Sequence, residues 1–112
     1  MGWVQIGAKS TADVAGLVGR RVRVRMPCAC HGYRGASEPV GPTVDLALGR
    51  TGFVGLPFKG TLPGVWVVLA MLEAPEPVGL TWAKFMKNPT FVRHVPVVVD
   101  AFNFRSRFQI EG

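Results

Sequence analysis

Apolar residues in this chain come in short bursts, and the longest uninterrupted run is only Val65 to Leu72. Fourteen glycines and nine prolines punctuate the 112 residues. Runs of this length bounded by turn formers predict strands rather than long helices. A chain of this size holds one core, so a single domain over residues 1–112 is expected. The hydrophobic fraction of 48% is enough to fold it, and the longest run falls far short of the roughly 20 residues a membrane-spanning helix needs.

Alternation locates the elements. Val22, Val24 and Met26 alternate with Arg21, Arg23 and Arg25 up to Pro27, which predicts a half-buried strand. The same period of two places Phe102, Phe104, Phe108 and Ile110 against Asn103, Arg105, Arg107 and Gln109, predicting a second such strand at the C-terminus. Gly52 to Phe58, Val65 to Leu72 and Val95 to Asp100 complete a set of about five. Val65 to Leu72 is apolar on both faces and therefore central, while Pro96 marks an edge or a strand start. One short helix is expected over Trp82 to Lys87, capped by Thr81 and stopped at Asn88-Pro89. Ser10 to Ala15 is too brief to assign. Cys28 to Leu48, rich in glycine and proline, reads as a long loop after the first main strand.

About five short strands joined by glycine-rich turns suggest a small, closed or nearly closed β-barrel, which removes exposed edges. Leu17-Val18-Gly19-Arg20-Arg21-Val22-Arg23-Val24-Arg25 followed by Gly49-Arg50-Thr51-Gly52-Phe53-Val54 resembles a KOW-type, SH3-like barrel over roughly the first half of the chain. The intervening loop is longer than that family has. What the resemblance implies is contact with RNA, ribosomes or other proteins. The long loop and the segment Phe104-Arg105-Ser106-Arg107-Phe108 are also similar to the variable chain of ferredoxin-thioredoxin reductase, which implies a non-catalytic accessory subunit.

Thirteen Lys and Arg against seven Asp and Glu give a net charge of +6, and nine of the thirteen are arginine. Arginine binds phosphate through paired hydrogen bonds, so an anionic partner is favoured. Small barrels of this kind pair their first and last main strands, which would gather Arg21, Arg23, Arg25, Arg105 and Arg107 on one nucleic-acid-binding surface. Tyr33 beside Arg34, in the long loop, adds a stacking and phosphate-binding pair. The expected function is a non-catalytic basic module contacting RNA, DNA or a ribonucleoprotein. The alternative is an accessory or structural subunit that joins a larger protein assembly through apolar surface.

Other chemistries find little support. Cys28, Cys30 and His31 crowd into four residues with His94 far away, unlike the paired spacing of zinc knuckles, so no metal and no cofactor is expected. A bridge between the two cysteines would close a tiny loop, and reduced thiols in a cytoplasmic protein are the simpler expectation. Asp13, Glu38, Asp45, Glu73, Glu76, Asp100 and Glu111 are scattered, which argues against acid–base catalysis and against an enzyme. Gly49 to Gly55 lacks the features of a phosphate-binding loop.

Overall fold

A computed structural model describes residues 2–58, 60–89 and 91–112. It is mainly β: strands β1 (Trp3–Gln5), β2 (Arg21–Val24), β3 (Cys28–Gly32), β4 (Thr43–Leu46), β5 (Thr51–Val54), β6 (Trp66–Leu72), β7 (His94–Asp100) and β8 (Phe108–Glu111) join helices α1 (Thr11–Ala15), α2 (Trp82–Lys87) and α3 (Ala101–Arg107). The strands form one antiparallel sheet in the order β1-β8-β2-β5-β6-β7-β3-β4.

This differs from the expectation in several respects. Among the described residues, eight strands replace about five, three helices replace one, and the sheet runs from β1 at one edge to β4 at the other without closing. The sheet curls instead, since Ile6 beyond one edge strand and Leu46 on the other belong to one buried cluster. Cys28 to Leu48 is not one long loop but a hairpin of β3 and β4, with Cys30 and Leu46 buried and the glycines and prolines confined mostly to its connection. Pro96 lies on an interior strand, but near its start and just beyond the β3 ladder, which covers only Val97 and Val98. The undecided N-terminal segment is helical because Ser10 and Asp13 form a reciprocal capping box, and the Asp13 carboxyl is held below its ordinary range by the backbone N–H groups of Lys9 and Ser10.

The largest correction concerns the C-terminus. Phe102 to Arg107 is not strand: α3 occupies Ala101–Arg107, and only Phe108 begins β8. The cause is the Asp100 carboxylate, which accepts from the backbone N–H of Asn103 at 2.7 Å and from its side-chain amide at 3.0 Å, capping the helix. Ala101 and Phe104, one helical turn apart, then enter the core, while Phe102 is left 69% exposed.

The core has two parts. On the concave face, Val22, Val24, Val54, Leu69, Met71, Val97, Phe104, Phe108 and Ile110 are buried together. On the opposite face, Phe53, Ala70 and Leu72 pack beneath Phe85 of α2, whose ring stacks on Phe53 at 5.4 Å between centroids. Thus β6 is apolar on both faces and central, as its sequence predicts, and α2 with its Thr81 cap forms where expected. Gly52 on β5 sits between Val22 and Met71 in register, and a Cβ there would lie 2.4 Å from the Ala70 carbonyl oxygen. Backbone has to move to admit it. Gly52→Ala is therefore expected to cost about 1–3 kcal/mol, read as a lower urea midpoint at unchanged m value.

Candidate nucleic-acid interface

Pairing of β2 with β8 is as the sequence predicts, with Val24 opposite Phe108 and Val22 opposite Ile110. Val22 and Val24 therefore point into the core and the arginines of β2 point to the other face. The arginines of the C-terminal segment follow a different geometry. On a strand, Arg105 and Arg107 would share a face, but on α3 two residues apart diverge by more than half a turn. Arg105 Nη1 donates to the Ala8 carbonyl at 2.9 Å, near the end of β1, whereas Arg107 Nη1 donates to the Pro27 carbonyl at 3.1 Å, beside β3.

The arginines of β2, and Arg25 just after it, differ in their surroundings. Arg21 is ion-paired with Glu76 and, at 3.2 Å, with Glu111. Arg23 Nη2 donates to the Gln109 side-chain carbonyl at 2.6 Å, and its guanidinium lies 4.9 Å from the Trp3 ring centroid. Arg25 Nη1 donates to the Ser106 carbonyl at 3.2 Å. Neutral carbonyl and aromatic partners orient a guanidinium without cancelling its charge, and a guanidinium carries five N–H donors in all. Positive potential therefore grows from Arg21 toward Arg25.

At the Arg25 end lies a groove of about 600 Å³ lined by Gln5, Lys9, Arg25, Phe102, Arg105 and Ser106 among others, with no carboxylate among the described residues of its wall. Each element holds one part of it. The capping box of α1 fixes the Lys9 backbone, because Lys9 N–H donates to Asp13 at 3.0 Å and turns that carboxylate toward the backbone. The residue that follows β2 is Arg25, whose N–H donates to the Arg107 carbonyl at 2.8 Å. The outer face of α3 supplies Arg105, Ser106 and the exposed Phe102 ring.

Of the residues singled out in the sequence, Arg25 and Arg105 meet in this groove, and Arg23 on β2 lies two residues before Arg25. Arg21 is neutralised by its acidic neighbours, and Arg107 turns to a separate cavity beside the cysteines. Tyr33 and Arg34 stand elsewhere. Tyr33 lines an apolar groove with Leu56, Trp82 and Met86, its ring 6.0 Å from that of Phe58, and exposed Arg34 is 3.5 Å from Glu38. Lys9, Gln5 and Phe102 were not anticipated. Strand alternation places Phe102 on the apolar face, and the signal that frees it is Asp100 with Asn103 three residues on, a helix start.

The histidines and cysteines do not converge either. Cys28 and Cys30 share one face of β3, His31 alternates to the other, and the His94 ring packs edge-on against Phe85 at 4.9 Å. Among the described residues no three His, Cys, Asp or Glu side chains cluster as metal ligands would. No helix among them is long and apolar enough to cross a membrane. Family models, curated proteins and solved structures give no match to this chain.

Proposed function

We propose that the chain is a non-catalytic module that binds single-stranded RNA or DNA in the groove between β1, β2 and α3. The observation that carries this reading is the convergence of Lys9, Arg25 and Arg105 around an exposed phenylalanine with no acid among the described residues of the groove wall. Lysine and arginine neutralise phosphates and release condensed counterions. An exposed Phe102 ring gives an unpaired base a stacking surface, which is worth about 1–3 kcal/mol per base. Base edges are not read in this scheme, so sequence preference is weak. A KOW-type, SH3-like ancestry is part of the proposal and is supported by the sheet's curl about the concave part of the core. A cytoplasmic setting is also part of the proposal.

Fluorescence anisotropy with labelled single-stranded and duplex oligonucleotides of equal length tests the reading. The single strand is expected to bind more tightly, because duplex bases are already stacked and offer Phe102 nothing. Absence of binding to both at low salt would overturn it. The second reading, a subunit of a protein assembly, rests on the apolar groove holding Tyr33, Leu56, Trp82 and Met86. A partner seated there would resist salt, whereas phosphate contacts would not.

A further inference from the structure

The mouth of the concave core next to α3 contains a feature that nucleic-acid binding does not use. Cys28 and Cys30, two apart on β3, lean toward each other until their sulfurs are 2.8 Å apart, and both are free thiols. They line a cavity of about 390 Å³ together with Trp66, Asp100 and Arg107. Cys28 is partly exposed there, while Cys30 is buried among core residues. We propose that Cys28 and Cys30 are a redox-active dithiol which a low-molecular-weight disulfide, such as oxidised glutathione, closes into an intramolecular disulfide.

The exchange balances in two displacements. The Cys28 thiolate attacks one sulfur of the small disulfide, whose other sulfur departs with the bonding electron pair as a thiolate. Cys30 then gives its proton to solvent and attacks the Cys28 sulfur of this mixed disulfide, expelling the second small thiolate. Two protein thiols are oxidised and one small disulfide is reduced to two thiols. The order follows from access: Cys28 reaches the cavity, whereas burial and the neighbouring Cys28 push the Cys30 thiol up to about 12, keeping it protonated until the mixed disulfide is beside it. Arg107 places positive charge in the cavity, and the Asp100 carboxylate that shares it is occupied by Asn103.

Backbone geometry predicts that the bridge is labile. Residues two apart on a strand are about 6.4–6.8 Å apart at Cα, the long end of what a disulfide spans. Closure at an ordinary Cα separation shortens β3 around Ala29. The sheet permits this on one side, because β3 pairs with β7 only through His31 and Gly32, leaving Cys28 to Cys30 held by β4 alone. A strained bridge is a more oxidising one and is easily reduced, unlike a structural disulfide.

The test uses the full chain in mixtures of reduced and oxidised glutathione, with acid quenching, alkylation and intact-mass measurement. The expected product is a monomer lighter by two hydrogens, dominant in oxidised mixtures and returned to dithiol by reduced glutathione. Cys30→Ser should stop at a single glutathione adduct, and Cys28→Ser should react about tenfold more slowly, its remaining thiol being buried and protonated. Wild-type protein that stalls as a glutathione adduct, forms disulfide-linked dimers, or stays fully alkylatable in every mixture would overturn the proposal.

Discussion

Phe108→Ala is expected to lower the unfolding free energy by about 3–5 kcal/mol, while Phe102→Ala leaves it within about 0.5 kcal/mol of wild type. Phe108 is fully buried, its ring centroid 6.1 Å from that of Phe104, and its strand partner Val24 is buried as well. Removing the ring leaves a cavity between β2, β8 and α3 that the surrounding strands cannot collapse to fill. Against a usual total of about 5–15 kcal/mol, the loss brings a small domain close to unfolding. Phe102 stands on the outer side of α3, so its removal touches no core contact. Urea denaturation of both variants separates the observed helix-then-strand arrangement from one continuous strand, in which both phenylalanines would be core and both substitutions would be costly.

That pair of residues also shows what the sequence makes legible. Where one face alone is buried, as in Arg21 to Val24, the period of two is unambiguous, and where both faces are buried, as in Trp66 to Leu72, a short continuous apolar run between turn formers marks the strand just as clearly. Between Phe102 and Ile110 the same apolar letters satisfy two periods. Phe102, Phe104, Phe108 and Ile110 fit a strand, and Ala101, Phe104 and Phe108 fit a helix. The deciding contribution is local and polar, a carboxylate at Asp100 capping the backbone of Asn103. The β3–β4 hairpin was hidden for another reason. Its connection carries the glycines and prolines that mark a loop, and its buried side chains include Cys30, a small residue easily passed over in a search for apolar strands. The pairing of β2 with β8 is what the small-barrel resemblance implies, but which arginines share a surface depends on the helix that takes half of the last strand.

Replacing Lys9, Arg25 and Arg105 together with glutamine is expected to abolish most binding of single-stranded nucleic acid. Glutamine retains a side-chain donor for the Ala8 and Ser106 carbonyls, so the loss is mainly one of charge. Each cation that meets a phosphate contributes about 0.7 to the slope of log affinity against log salt for a single strand, so three of them contribute about 2. Glutamine at Arg21 is expected to change the slope least, because Glu76 and Glu111 already neutralise that guanidinium. Phe102→Ala, in contrast, should weaken single-strand binding by about 1–3 kcal/mol with the slope unchanged, because stacking releases no counterions.

The salt dependence of binding to a labelled single-stranded oligonucleotide, compared between wild type and the Lys9, Arg25 and Arg105 triple variant, is the most direct test of the groove as the nucleic-acid interface. The groove predicts a steep decline for wild type and a slope shallower by about 2 for the variant, with the variant's urea midpoint confirming that it is folded. Equal slopes for the two proteins, or wild-type affinity that does not change with salt, would contradict it.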